Sequence, residues 1–111
     1  MKLFIAGSRS ITNFDFEPYI SDEVDMIICG GAYGIDNLAE KYADKKKLSK
    51  NILRPQYEKY QRIAPLKRNT EMAAMCDEAL VIWDRKSRGT LHSINELVRL
   101  AKPFRVVIVK L

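Results

Sequence analysis

Hydrophobic residues along this chain fall into two alternating patterns. Residues 2–7 (KLFIAG), 24–30 (VDMIICG), 78–83 (EALVIW) and 104–110 (FRVVIVK) are short, nearly continuous apolar runs, as expected of strands buried on both faces. A fifth, NILRP at 51–55, ends at a proline and suits an edge strand or a strand end. Between the runs the period changes. Ile35, Leu38, Ala39, Tyr42 and Ala43 recur at i, i+3, i+4, i+7 and i+8, one face of a helix. Residues 64–76 (APLKRNTEMAAMC) are helical by composition, with Pro65 acceptable in the first turn. Residues 90–101 predict a helix with Leu91, Ile94, Val98 and Ala101 on one face, and Pro103 marks its exit. Residues 15–23 predict a short, weakly patterned helix.

Strands alternating with helices from end to end imply a parallel sheet covered on both sides. Right-handed crossovers then give a three-layer, Rossmann-like α/β domain with five parallel strands in the order 3-2-1-4-5. With 111 residues and no linker, repeat or low-complexity stretch, the expectation is one domain over residues 1–111.

Composition narrows the class. No apolar run approaches the ~20 residues of a membrane span, and the first residues read as a strand rather than a signal peptide. The expected location is therefore cytoplasmic. Cys29 and Cys76 lack metal-ligand spacing and His92 is the single histidine, so no metal site and no cofactor enter the reading. Both thiols are expected to be buried and reduced. The net charge of +5 suits an anionic ligand. Much of it sits in KYADKKKLSK (41–50), which reads as a solvated helix end and lacks the interleaved aromatics of a nucleic-acid platform.

In a doubly wound sheet, ligands bind beyond the carboxyl ends of the strands where the strand order reverses. Three loops therefore carry the candidate chemistry: Gly7-Ser8-Arg9-Ser10, Gly30-Gly31-Ala32-Tyr33-Gly34-Ile35-Asp36, and Asp84-Arg85-Lys86-Ser87-Arg88-Gly89-Thr90. Glycines let backbone amides approach an anion, and the helix N-termini that follow add positive partial charge. Arg9 or Arg88 could pair with a phosphate in bidentate fashion, and Ser8, Ser87 and Thr90 could donate hydroxyls. Each feature also has a purely structural reading. Glycines are frequent at strand-to-helix turns, Ser87 or Thr90 suits a helix N-cap, and Asp36 in a first turn suits the helix dipole. Arg68 reads as a solvated helical arginine, Trp83 as core or rim packing, Met72 and Met75 as core, and His92 has no catalytic partner.

With these residues assembled, the sequence resembles the SLOG superfamily. That group joins the DNA-processing protein DprA to the LOG ("lonely guy") nucleoside-phosphate hydrolases and includes small stand-alone proteins related to YpsA. GSR at 7–9, GGAYGID at 30–36, APLKRNTEM at 64–72 and SRGT at 87–90 carry the resemblance over nearly the whole chain, and the stand-alone branch is the most similar. It implies binding of a nucleotide or nucleotide-derived ligand at the strand carboxyl edge. Gly30, Gly31, Gly34, Gly89 and Thr90 would hold the phosphate, and Gly7, Ser8 and Arg9 would line the neighbouring wall. Asp36 would face the ribose or base. Arg68 and Asn69 match the family's RN element, which brings their helix into the site. The resemblance also implies a homodimer.

The hydrolases of that group carry a PGGxGTxxE pattern whose glutamate helps cleave the N-glycosidic bond. Here Lys86-Ser87 replace the glycine pair, and Ser93 stands where the glutamate would be. A serine cannot stabilise an oxocarbenium ion, so catalysis is left without an assigned carboxylate. Arg68, Glu71, Asp84 and Glu96 are the candidates. Three functions stay open: nucleotide binding or sensing without strong catalysis, hydrolysis of a nucleoside 5′-monophosphate to base and ribose 5-phosphate, and DprA-like binding of single-stranded DNA, the least favoured because the chain leaves no room for an appended domain.

Overall fold

The computed structural model describes residues 1–110. Strands β1 (Lys2–Gly7), β2 (Met26–Cys29), β3 (Ser49–Ile52), β4 (Glu78–Trp83) and β5 (Phe104–Ile108) form one sheet in the order β3-β2-β1-β4-β5. Every neighbouring pair is parallel. Strand order reverses at β1, whose Phe4 stands opposite Ile28 on one side and Ala79 on the other. The helices are α1 (Ile35–Lys46), α2 (Tyr57–Tyr60), α3 (Ala64–Met75) and α4 (Arg88–Arg99). No helix among the described residues is long and apolar enough to cross a membrane.

Side-chain alternation along the strands builds two cores. Leu3, Ile5, Ile27, Cys29, Leu80 and Ile82 face α1 and the segment of Ile11 and Phe16. Phe4, Ala6, Ile28, Ala79 and Val81 face Met72 and Ala73 of α3 and Leu97 of α4. A sheet buried on both faces leaves no room for polar alternation, which explains the continuous apolar runs. Both cysteines are buried as free thiols. Burial, reinforced by the nearby Asp36 carboxylate, pushes the Cys29 thiol up to about 12.

Helix α1 buries Ile35, Ala39 and Ala43 as its spacing predicts. It stops where Lys47 turns left-handed, with its amide donating to the Ala43 and Asp44 carbonyls. Helix α4 departs from expectation. It begins at Arg88, and its buried positions are Thr90, Ser93 and Leu97. Of the predicted stripe, Ile94 packs partly buried against the core, but Leu91 is 40% and Val98 62% exposed. Thr90 and Ser93 tolerate burial because their hydroxyls donate to the Ser87 hydroxyl and the Gly89 carbonyl. Small side chains there bring the start of α4 close to the sheet.

Three further differences have local causes. Residues 15–23 make only a 3₁₀ turn at Glu17–Tyr19. Strand β3 starts at polar Ser49 and ends at Ile52, because backbone pairing with Met26 through Cys29 sets its extent. Residues 57–63, which carry no predicted element, form α2 and a 3₁₀ turn.

The end of α3 is held from outside. The Lys102 ammonium donates to the carbonyls of Ala74 (3.0 Å) and Cys76 (2.6 Å), groups that a helix end leaves without internal partners. Lys102→Met keeps the stem and removes the donors. Its expected cost is about 1–3 kcal/mol, read as a lower urea midpoint at unchanged m-value.

Candidate ligand-binding site

The carboxyl ends of β1, β2 and β4 deliver three loops to one edge of the sheet, where they surround a cavity of about 910 Å³. The β2 loop is folded around its own acid. Asp36 is buried, and its Oδ2 accepts from the Ala32 amide at 3.2 Å. The start of α1 is closed too: the Ile35 amide donates to the Ser8 carbonyl at 3.4 Å. Gly34 makes that closure possible. It has φ +74°, and a Cβ there would lie 2.6 Å from the Ser8 and Arg9 carbonyl oxygens.

Burial raises the Asp36 carboxyl above the usual carboxylate range, against the opposing pull of the Ala32 amide and the Arg68 guanidinium. A raised folded pKa means the folded chain keeps a proton that the unfolded chain has lost. The contribution of Asp36 to stability is therefore favourable at low pH relative to neutral, and it declines as pH rises from the unfolded value through the folded one. Asp36→Asn is expected to gain stability relative to the parent at pH 7 compared with pH 4, measured as paired urea midpoints.

Arg68 crosses from α3 to the same loop. Its Nη1 donates to the Gly30 carbonyl at 3.0 Å, and its buried Nε has no partner. Burial pulls its pKa down while Asp36 pushes it up. A partly desolvated guanidinium with a spare donor is suited to an oxyanion. One residue along, buried Asn69 donates from Nδ2 to the Gly89 carbonyl, and the His92 Nδ1 lies 3.4 Å from the same amide. His92 thus touches a cavity residue, a contact its position in the sequence does not signal.

The β4 loop is fastened to the β1 loop. The Ser8 hydroxyl accepts from the Asp84 amide at 3.1 Å, and Ser10 donates to Asp84 Oδ2 at 2.6 Å. Asp84 Oδ1 accepts from the Lys86 and Ser87 amides, each at 2.8 Å. The Ser10 hydroxyl first, and then the two amides, hold the Asp84 carboxyl far below its ordinary range. Ser87 caps α4 by accepting from the Thr90 amide at 3.3 Å. Two residues on from Ser87, Gly89 is bare: a Cβ there would meet no atom within 4 Å. The start of α4 therefore opens into the cavity beside Arg9 and Arg88.

Gly7, Arg9, Gly30, Gly31, Asp36, Arg68, Asn69, Ser87, Gly89 and Thr90 all line this one cavity. Ser8 and Gly34 do not: Ser8 is fully buried as a loop fastener and Gly34 packs against the β1 loop. Of the candidate catalytic groups, Arg68 and Asp84 are at the wall. Glu71 is exposed on α3, away from it. Glu96 is held by Arg99 and Thr70, which lower its carboxyl to about 2. Ser93 lines the cavity with its hydroxyl turned to the Gly89 carbonyl. The wall also holds Ser10, Tyr33, Arg54 and Tyr57. The last two follow β3, a strand away from the reversal point, where the topological rule gives no reason to look.

This sheet order and edge cavity define a Rossmann-like α/β fold. The crystal structure of DNA processing protein A (DprA) from Streptococcus pneumoniae has the same fold. It is similar at a TM-score of 0.73 and 15% sequence identity, with 99% of this chain and 51% of that one covered. The chain thus spans about half the length of that protein. No family model matches the sequence, and comparison with curated proteins returned no match.

Proposed function

We propose that this chain binds a nucleotide or nucleotide-derived ligand in the edge cavity, as a SLOG-type domain. The observation that carries the reading is the bare start of α4, where Gly89 opens onto a wall containing Arg9, Arg68 and Arg88. Helix N-termini attract anions, and arginine adds paired donors. The phosphate belongs at α4 rather than α1, because Asp36 already occupies the Ala32 amide of the β2 loop and the Ile35 amide is engaged. Asp36 then meets an uncharged hydroxyl or amine of the sugar or base.

Cleavage of the N-glycosidic bond ranks behind binding. The cavity wall contains no glutamate, and Asp84 is committed to three hydrogen bonds. A thermal-shift series with AMP, GMP, CMP and ribose 5-phosphate tests the reading. Ligand at a hundred times its Kd stabilises by about 2.7 kcal/mol, so a hit raises Tm by several degrees. No shift with any member would overturn the reading. Free base released from a hit would move the assignment to a hydrolase.

A second reading has its own support. The net charge is +5, the cavity carries four arginines, and the structural neighbour is named as a DNA-processing protein. Single-stranded DNA binding would give affinity for a short oligonucleotide that falls steeply with salt.

A further inference from the structure

The five tyrosines of this chain divide sharply. Tyr19 has Arg105 over its ring, Tyr42 has Lys46, and Tyr60 has both Lys59 and Lys67, at 5.1–6.0 Å from the centroids. All three are partly buried. Tyr33 and Tyr57 have no ring or cation partner among the described residues, and they are 80% and 59% exposed. Both line the cavity. They come from different loops, one after β2 and one after β3. Arg54 links those loops, donating from Nη1 to the Gly31 carbonyl at 3.3 Å.

An unpaired phenol ring in water gains nothing from its apolar face. Two such rings and a guanidinium lining one cavity match what a nucleobase requires. Every base has a π-face that stacks on an aromatic ring, and a guanidinium stacks or donates beside it. The opposite wall of the cavity supplies the anion-binding end at Gly89 and Arg88.

We propose that Tyr33, Tyr57 and Arg54 form a base-stacking subsite, which takes the purine or pyrimidine ring of a nucleotide whose phosphate lies at the start of α4. The proposal rests on the nucleotide-binding reading and adds the residues that hold the base. Affinity for the base-bearing ligand then depends on these side chains, whereas affinity for the sugar phosphate alone does not.

The test is calorimetric titration of AMP and ribose 5-phosphate into the parent, Tyr33→Ala, Tyr57→Ala, the double variant and Tyr57→Phe. Both tyrosines are exposed, so melting temperatures are expected to stay near the parent's. The parent is expected to bind AMP more tightly than ribose 5-phosphate. Each alanine variant should lose on the order of tenfold in AMP affinity, with ribose 5-phosphate unchanged, and Tyr57→Phe should retain AMP binding. Unchanged AMP affinity in the double variant would overturn the subsite while leaving the nucleotide reading intact. So would an equal loss for both ligands. Failure of the parent to bind AMP, GMP, CMP and ribose 5-phosphate alike would overturn the nucleotide reading and the subsite with it.

Discussion

A Gly89→Asp protein is expected to melt higher than the parent and to lose affinity for the proposed nucleotide ligand. Gly89 is the second residue of α4, after Ser87 as N-cap. A side chain fits there without contact, since nothing lies within 4 Å of its Cβ position. Glycine costs roughly 1 kcal/mol in a helix relative to alanine. A carboxylate in the first turn adds about 0.3–1 kcal/mol through the helix dipole. Aspartate is itself about 0.7 kcal/mol poorer than alanine in a helix, so the combined gain is about 1 kcal/mol, or roughly 4–8 °C in Tm. The same carboxylate occupies the position proposed for phosphate, where two like charges a few ångströms apart repel by up to about 4 kcal/mol. AMP affinity should fall on the order of a hundredfold. Gly89→Ala should share the stability gain without the charge. An aspartate variant that binds AMP as the parent does would remove α4 from the site. The expected opposition of stability and affinity is also informative in itself, because a glycine kept only for folding would not behave this way.

Gly34→Ala should be severely destabilising. Gly34 sits at φ 74°, ψ −127°, a region closed to side chains. Holding alanine there costs about 1–3 kcal/mol. Its Cβ would also press to 2.6 Å on two backbone oxygens, those of Ser8 and Arg9, and neither can turn away as a side chain would. Overlap of this kind adds about 1–3 kcal/mol. The total of about 2–6 kcal/mol is a large share of the 5–15 kcal/mol typical of a domain. Urea unfolding reads it directly, and a loss below about 1 kcal/mol would mean that the β1 and β2 loops can separate freely. Gly34 and Gly89 thus serve opposite ends: one lets two backbones meet, the other keeps a helix end open.

The sheet was readable in the sequence because burial on both faces leaves a strong signal. β1 and β4 are nearly uninterrupted apolar runs, and their neighbours in the sheet follow from the alternation with helices. Helix α1 was readable because three of its four buried residues, Ile35, Ala39 and Ala43, are on its apolar face. The buried face of helix α4 was not, because Thr90 and Ser93 satisfy their hydroxyls locally and can be buried in place of Leu91 and Val98. The extent of β3 was hidden for a related reason: pairing with β2, not hydrophobicity, holds an edge strand. At the candidate site, the reversal rule leads to the loops after β1, β2 and β4. It says nothing of Arg54 and Tyr57, which reach the cavity from beyond β3. Nor does spacing reveal that Asp36 turns back onto the amide of Ala32, since that depends on how tightly the loop closes.

Trp83 is the single tryptophan of the chain, and its indole Nε1 donates to the Ser87 carbonyl at 3.0 Å. Ser87 is also the residue that caps α4. The one strong fluorophore is therefore tied to the turn that sets where α4 begins. Any movement of that turn must stretch or break the indole's hydrogen bond and alter its contact with water. The emission of the protein is thus an optical readout of the α4 cap, available without a label.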